Sequence, residues 1–271
     1  MTLNGQRTMV LMYRKSNQSR DMIPKVIHYC WFGRNPLPAD AIKCIKSWER
    51  FLPNYTIKEW NEDNFDVNMI SYSKEAYSAK KYAFVSDYAR FWILYNYGGL
   101  YFDTDVEVIK PIDDIIARGN FMGYECSLQG DDNNGNKAVA PGLGLGVNPG
   151  LGIIKDILIN YENCHFLIDG KQNTSKTIVN FTTEVFEKAG ITKFTEDIDF
   201  SSGVYLYSPE YFCPLDHHTG LLNITSKSRT IHHYSASWKT NAEKRKIALL
   251  RFLGPRVTNA LVAIKKRIIK V

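Results

Sequence analysis

The length, composition and charge of the chain exclude several classes of protein. With 271 residues, of which 44% are hydrophobic and 13% aromatic, it can bury the core of one large α/β domain or of two small ones. No run approaches the roughly 18 apolar residues of a membrane-spanning helix, and the short apolar patch near the N-terminus lacks the cleavage site of a secretory signal. The five cysteines are odd in number and contain no CxxC pair, which indicates buried thiols in a reducing compartment. We therefore expect a globular, cytoplasmic protein.

The net charge of +6 is distributed unevenly along the chain. Residues 239–271 contain ten basic side chains and one acidic one, whereas residues 1–238 contain 24 basic and 27 acidic side chains. Aliphatic residues lie between the charges of this tail, which predicts one or two amphipathic helices with cationic faces. Such helices suit either an anionic membrane surface or a solvated helix that packs on its own domain or on a partner subunit. Nucleic acid is disfavoured as a partner because the body of the chain is acidic.

The predicted elements begin with a β-α-β unit. Residues 25–33 form an apolar and aromatic run of strand length that ends in a glycine turn. Residues 39–51 have apolar side chains at helical spacing, closed by Pro53, and residues 55–61 have the composition of a second strand. Strands that alternate with helices predict a mixed, mainly parallel sheet with helices on both faces.

Two carboxylates follow the next predicted helix, in the stretch Lys80–Lys110. The helix is expected to stop at Gly98 and Gly99, because glycine adopts positive φ without a Cβ clash. A strand is predicted to follow, and residues two apart on a strand point to the same side. Asp103 and Asp105 are therefore expected to share one face and one divalent cation.

Asp87 and Arg90 lie three residues apart on the same predicted helix. They are either a local ion pair worth about 0.2 to 0.5 kcal/mol or a pair aimed into the cleft of the two aspartates. A calcium loop of the helix-loop-helix kind is excluded because Val108 stands where that loop requires glycine. Glu107 likewise disfavours a phosphatase with an aspartyl nucleophile.

Four blocks of the sequence together resemble the DXD-containing glycosyltransferases of family 32. That group includes yeast initiating mannosyltransferases, bacterial capsule and lipopolysaccharide sugar transferases and, more distantly, the clostridial glucosylating toxins. The central block contains both Ser86–Arg90 and Leu94–Asp105; the others are Ile23–Gly33, Tyr211–Pro214 and Ile231–Trp238. The blocks occur in the family's order, over most of the chain.

The resemblance implies a GT-A-like fold, a nucleotide-sugar donor, a divalent Mn²⁺ or Mg²⁺ ion, and transfer with retention at the anomeric carbon. It favours a UDP-sugar over GDP-mannose as donor, a saccharide or lipid-linked saccharide as acceptor, and a role in bacterial surface polysaccharide synthesis. Two other interpretations stay open at this point: a metal-dependent phosphoesterase on nucleotide-linked substrates, and a saccharide-binding relative without turnover.

The resemblance also assigns roles to the central block. Asp105 is expected to bind the metal directly, and Asp103 to bind it directly or through water and to reach the ribose. Asp87 would accept hydrogen bonds from donor-sugar hydroxyls, and Arg90 would contact the sugar or the diphosphate with its planar fork of donors. Asp87, Arg90 and Asp105 are the expected catalytic set.

The closing block is expected to complete the metal and phosphate contacts. Either His232 or His233 can supply a neutral imidazole to the metal, and the spacing to Trp238 favours His233. Trp238 would donate its indole N–H to the leaving phosphate, and Ser237 beside it is a further donor-binding candidate.

The first block is expected to bind the nucleotide base. Trp31 would stack on the base, while the backbone near Ile27 and His28 would read its edge; a core tryptophan is the competing interpretation for Trp31.

The predicted domain layout has three parts. Residues 1–21 form an unstructured leader, and Met22 is a second candidate for the native start. Residues 22–238 form the GT-A-like domain, and residues 239–271 form the cationic helical tail. The protein is placed in the cytoplasm, with peripheral contact to the inner face of the membrane if the tail binds lipid.

Overall fold

The computed structural model describes residues 22–127, 136–174, 176–191, 197–216 and 222–235. The predicted leader and the predicted tail lie outside these ranges, as do Ser237 and Trp238. Within them, no helix is both long enough and apolar enough to cross a membrane.

The described residues form seven helices and twelve strands. The helices are α1 (Ala39–Phe51), α2 (Ser71–Ser78), α3 (Tyr82–Tyr97), α4 (Asp113–Arg118), α5 (Gly152–Glu162), α6 (Ile178–Lys188) and α7 (Pro209–Phe212). The strands are β1 (Val26–Cys30), β2 (Thr56–Trp60), β3 (Gly99–Tyr101), β4 (Val106–Val108), β5 (Phe121–Ser127), β6 (Asn136–Val139), β7 (Leu145–Val147), β8 (Leu167–Ile168), β9 (Lys171–Gln172), β10 (Ile198–Ser201), β11 (Val204–Tyr207) and β12 (Thr230–His232).

One eight-stranded sheet organises the fold. Its order is β10-β11-β5-β7-β3-β1-β2, and β6 pairs with β5 beside this path. Strands β1, β2, β3, β5 and β11 run in one direction, while β6, β7 and β10 run in the other. The predicted β-α-β unit is confirmed, since β1 and β2 are parallel and α1 joins them. The predicted mixed, mainly parallel sheet is also confirmed.

Helices cover both faces of the sheet, as predicted, because side chains on each strand alternate between two hydrophobic cores. On β1, Ile27 and Tyr29 enter a core shared with Trp48 of α1 and with residues of α4 and α7. Cys30 points to the other side, into a core built with α2, α3, α5 and α6. Trp48 is fully buried and its indole N–H donates to the carbonyl of Val106 at 2.7 Å, which ties α1 to the segment beside the site.

The predicted glycine stop after α3 is confirmed. The helix ends at Tyr97, and Gly98 and Gly99 have φ values of 64° and 103°. A Cβ on Gly99 would lie 2.7 Å from the carbonyl oxygen of Val26, so the backbones of β3 and β1 approach too closely for any side chain there.

The prediction of one strand running through both aspartates is wrong. Strand β3 ends at Tyr101, and Asp103 and Asp105 lie in a turn in which the Val106 N–H donates to the Asp103 carbonyl at 3.0 Å. The chain turns here because β4 leaves the large sheet and pairs with β12 in a separate two-stranded ladder. Alternation along the sequence cannot reveal that change of partner.

Candidate functional site

The site lies at the carboxyl edge of the parallel strands. Asp103 follows β3, Trp31 follows β1, and Glu125 lies near the carboxyl end of β5. Since β1, β3 and β5 run in the same direction, these side chains start from one edge of the sheet. This edge also receives the end of β12, which pairs with β4 just after the aspartate turn.

Arg90 joins the helix pair to the aspartate turn. Its guanidinium lies 3.0 Å from the carboxylate of Asp87 and 3.2 Å from that of Asp103, and its side chain is only 4% exposed. The guanidinium also lies over the ring of Tyr101, 4.8 Å from its centroid. The second interpretation of Asp87 and Arg90, a pair aimed into the cleft of the two aspartates, is the one that these contacts support.

The charges in this cluster are unequal, because one arginine faces two carboxylates. Burial raises the pKa of Asp87, and although Arg90 lowers it, the charge of Asp103 raises it again, so the pKa stays above its usual value. Burial would lower the pKa of Arg90, but Asp103, Tyr101 and Asp87 raise it, and the guanidinium remains charged. The Asp87 carboxylate can accept a hydrogen bond from a ligand hydroxyl while it pairs with Arg90.

Asp105 is held ionised by the segment after β12. Its Oδ1 accepts from Nε2 of His232 at 3.0 Å, and its Oδ2 accepts from the backbone N–H and the hydroxyl of Ser235 at 2.8 and 2.9 Å. Burial opposes ionisation, yet His232 and these donors hold the pKa of Asp105 well below its usual value. Burial would also lower the pKa of His232, but the charge of Asp105, its hydrogen bond and the charges of Asp103 and Glu125 together raise that pKa.

The two histidines face different partners. The Nε2 atom of His233 lies 2.8 Å from the carboxylate of Glu107, and only its backbone N–H reaches the Asp105 carbonyl, at 2.9 Å. The contacts therefore favour His232 as the histidine beside Asp105, the reverse of the sequence-based preference for His233. The chain bends directly after the two histidines, where Tyr234 has a φ of 50°.

The donor chemistry of the turn fits a hard divalent cation, because carboxylate oxygens are the ligands that Mn²⁺ and Mg²⁺ prefer. In the part of the chain that the structure describes, however, no three His, Cys, Asp or Glu side chains converge in a ready-made metal site. The oxygens of Asp103 and Asp105 already accept hydrogen bonds from Arg90, Tyr101, His232 and Ser235. The predicted ligand set of Asp103, Asp105 and His233 stays a prediction.

His28 and Ile27 have structural side chains. The Trp60 indole donates to Nδ1 of His28 at 3.0 Å, so Nε2 carries the proton and donates to the Gly98 carbonyl at 2.9 Å. Burial lowers the pKa of His28 to about 4. Ile27 is fully buried, and β1 pairs with β2 and β3 at both positions. Their predicted part in base recognition would fall to backbone atoms and stays a prediction.

Trp31 lies at the edge where a base is expected. It is partly buried against the core of α1, its backbone N–H donates to Trp60, and its indole N–H donates to the Asn35 carbonyl at 2.6 Å. Stacking on a base stays a prediction for this residue. The predicted phosphate contacts of Ser237 and Trp238 lie outside the described residues.

A hydrogen-bonded group that was not predicted from the sequence packs against His232. The Tyr234 hydroxyl donates to Glu125 at 3.0 Å and lies 2.9 Å from the sulfur of Cys213, and its ring centroid lies 4.1 Å from that of His232. Burial raises the pKa of Glu125 more than Tyr234 and His232 lower it. Tyr234 and Ser235 belong to the closing block, but nothing in the sequence around Glu125 singles it out.

The sequence comparisons show which family this chain is similar to. Residues 38–122 match the family model described as the glycosyltransferase sugar-binding region containing a DXD motif. The matched segment begins just before α1 and includes Asp87, Arg90, Asp103 and Asp105. The resemblance to DXD-containing glycosyltransferases is thereby confirmed.

Individual relatives have low sequence identity to this chain. Inositol phosphoceramide mannosyltransferase 1 of Schizosaccharomyces pombe is 28% identical over 113 residues, which are 38% of this chain and 34% of that protein. The chain thus matches about a third of the length of that curated relative. The uncharacterized glycosyltransferase L373 of Acanthamoeba polyphaga mimivirus is 28% identical over 202 residues, 69% of this chain and 73% of that one. A solved glycosyltransferase involved in the glycosylation of the major capsid of PBCV-1 aligns over 83% of this chain and 100% of its own, with 12% identity and a TM-score of 0.44.

Proposed function

We propose that this protein is a metal-dependent glycosyltransferase that moves a sugar from a nucleotide-sugar to a saccharide or lipid-linked saccharide with retention. The observation that carries the proposal is the joining of Asp87 and Asp103 by the buried Arg90, beside an Asp105 held ionised by His232 and Ser235. The match of residues 38–122 and the names of the relatives support the same activity. A UDP-sugar is the favoured donor and GDP-mannose the second.

The chemistry requires a leaving group with neutralised charge. A nucleoside diphosphate leaves poorly until its negative charge is compensated, and a divalent Mn²⁺ or Mg²⁺ ion held by Asp103 and Asp105 would supply that compensation. His232 and Ser235 keep Asp105 ionised and fixed in orientation. Arg90 donates hydrogen bonds to Asp103 and to Asp87. Asp87 would at the same time accept hydrogen bonds from hydroxyls of the donor sugar.

Retention is proposed through substitution on a single face of the sugar. The bond from the anomeric carbon to the phosphate oxygen breaks, the acceptor oxygen forms its bond on the same face, and the leaving phosphate takes the acceptor proton. This route requires no nucleophilic side chain. Glu125 already accepts a hydrogen bond from Tyr234, and its raised pKa makes it a weak candidate for a nucleophile.

The activity is tested with Asp105→Asn and a matched surface variant, Asp40→Asn, whose carboxylate is 88% exposed and pairs with Lys43. With a defined UDP-sugar and manganese, Asp105→Asn should lose transfer by at least about 100-fold, in line with removal of one stabilising charge. Asp40→Asn should retain it. Full transfer by Asp105→Asn overturns the proposal. Release of free phosphate in place of nucleoside diphosphate would instead identify a phosphoesterase.

The cellular role is proposed from the charge of the tail and from the resemblance. A cytoplasmic enzyme of bacterial surface polysaccharide synthesis acts on acceptors at the inner face of the membrane, and ten basic side chains in residues 239–271 suit that surface. Sedimentation with anionic vesicles, but not with zwitterionic ones, is the expected result. If the protein sediments to the same extent with both vesicle types, the proposed membrane contact is wrong.

A further inference from the structure

A second cavity lies outside the carboxylate site. It has a volume of about 250 Å³, enough for one saccharide unit, and it opens among α2, α6 and the segment that follows α5. Its lining combines two aromatic rings with polar side chains: Tyr72, Cys164, His165, Asn173, Lys176 and Phe181. A concave site with apolar walls and a few converging polar groups is the usual form of a small-molecule site.

This cavity neighbours the carboxylate site through a group of packed tyrosines. The ring of Tyr72 lies 5.1 Å from that of Tyr161, and Tyr161 lies 6.2 Å from Tyr88 on α3, the residue next to Asp87. Burial raises the pKa of Tyr72, and the charge of Asp87 raises it further. Two buried tyrosine rings, those of Tyr161 and Tyr88, thus lie between the cavity and Asp87.

The charges that line the cavity are already balanced. The Nδ1 atom of His165 lies 2.7 Å from the carboxylate of Glu75, and the ammonium of Lys176 lies 2.8 Å from that of Glu184. An anion would compete with these carboxylates for both bases. A neutral ligand has no such competition.

Hydrogen-bonding groups remain available around the cavity. The Tyr72 hydroxyl makes no hydrogen bond with any residue that the structure describes. The ammonium of Lys176 has three N–H donors, and its hydrogen-bond partner among the described residues is the carboxylate of Glu184. Nε2 of His165 can also contact a ligand, because the carboxylate of Glu75 bonds only to Nδ1. The wall on the other side is the ring of Phe181, which packs on Tyr161 at 4.7 Å.

We propose that this cavity binds a neutral saccharide unit of the acceptor. The inference rests on the proposed glycosyltransferase function, and it adds that the acceptor has at least two units, one in the cavity and one that reaches the donor. The aromatic wall faces the C–H surface of the sugar, and Tyr72, His165 and Lys176 hydrogen-bond with its hydroxyls. An anionic sugar or a free phosphate is disfavoured by the paired bases.

The direct test is saturation-transfer difference NMR of the full chain with glucose, galactose, mannose, lactose and maltose. At least one of these neutral sugars should receive saturation from the protein. Lys176→Met and Phe181→Leu should reduce that signal at least about five-fold, while Lys188→Met, a control at the end of α6 outside the cavity lining, should leave it unchanged. Circular dichroism verifies that each variant is folded. Equal signals in all four proteins, or displacement of the sugar by inorganic phosphate, overturns the inference.

Kinetics separate this inference from the proposed function. In Lys176→Met the KM for the acceptor should rise about ten-fold, the effect of roughly 1.4 kcal/mol of lost binding, with a smaller change in kcat. A change in kcat alone contradicts the inference. If the wild-type protein binds no nucleoside diphosphate with manganese, the proposed function fails, whereas a loss confined to the acceptor KM is specific to the cavity.

Discussion

Arg90 is the residue whose surroundings distinguish a built site from a surface ion pair. It is buried between two carboxylates, whereas Arg34 pairs with Asp63 at 2.7 Å with both side chains more than 60% exposed. The shorter distance belongs to the weaker pair, because water screens exposed charges and the ordering of two long side chains opposes them. Burial, rather than distance, decides the energetic weight of each arginine.

The two arginines therefore predict different losses of stability. Arg90→Met should lower the free energy of unfolding by about 3 kcal/mol, since it leaves two carboxylates buried without their cation. Arg34→Met should change it by less than about 1 kcal/mol. Urea unfolding of both variants measures the difference. Equal losses would show that Arg90 does not hold the cluster together.

His28 predicts a dependence of stability on pH. Its pKa falls from 6.5 in the unfolded chain to about 4 in the folded protein, so the unfolded state binds the extra proton between these values. The contribution is fully present above pH 6.5 and is lost as the pH falls through 4, by up to about 3 kcal/mol.

The measurement is the free energy of unfolding from pH 7 to pH 4 for the wild type and for His28→Gln. In His28→Gln, the slope of the free energy of unfolding against pH should be smaller by the contribution of one proton. Identical slopes in wild type and His28→Gln would contradict the assignment of a neutral buried His28.

At the scale of elements, the link between α3 and β3 sets the position of the aspartate turn. Gly99 has a φ of 103°, and a Cβ there would lie 2.7 Å from a backbone oxygen of β1. Gly150 has a φ of 75° and nothing within 4 Å of its Cβ position. Both positions strain an alanine through φ, by roughly 1 to 2 kcal/mol, and only Gly99 adds a collision with backbone.

Gly99→Ala should therefore destabilise the protein by at least about 1 kcal/mol more than Gly150→Ala. Chemical denaturation of the two variants gives this difference directly. Since the collision moves β3 against β1, Gly99→Ala should also reduce transfer more than Gly150→Ala does. Equal effects would mean that close packing of the two backbones is unimportant.

The same elements show what the sequence can and cannot predict. Helices α1 and α3 follow from local periodicity and from Gly98 and Pro53, and their bounds lie within two residues of those expected. The turn at Asp103 and Asp105 could not be predicted, because it depends on β4 pairing with β12, more than 120 residues further along. Local patterns contain no information on such a pairing.

The candidate site likewise has parts that the sequence predicts and parts that it does not. The nearness of Asp87 and Arg90 to each other follows from helical spacing, and their meeting with Asp103 agrees with the resemblance. The neutral, structural state of His28 depends on Trp60 and Gly98, which pack against it only in the folded chain. Glu125 likewise gains its place from Tyr234, 109 residues away.

For the whole molecule, the sheet brings distant segments to one edge. Side chains that follow β3 contact those of the segment at the end of β12, Glu125 near the end of β5 bonds to Tyr234, and Trp31 follows β1 at the same edge. The cavity beside α2 and α6 lies on the other side of Tyr161. The basic tail accounts for the net positive charge of the chain, because residues 1–238 carry more acidic than basic side chains. The proposed donor site, the proposed acceptor cavity and the cationic tail would together suit the proposed transfer to a saccharide at a membrane surface.

The most direct test of the central claim is a thermal-shift measurement with UDP, with manganese, and with both together. At a UDP concentration of about 100 times Kd with manganese present, binding should stabilise the wild-type chain by about 2.7 kcal/mol, a rise in Tm of roughly 5 to 10 °C. Either ligand alone should give much less, Asp105→Asn should abolish the shift, and Asp40→Asn should keep it. No shift with UDP and manganese, or the same shift in Asp105→Asn, would contradict the assignment of the aspartate turn as a nucleotide-sugar and metal site.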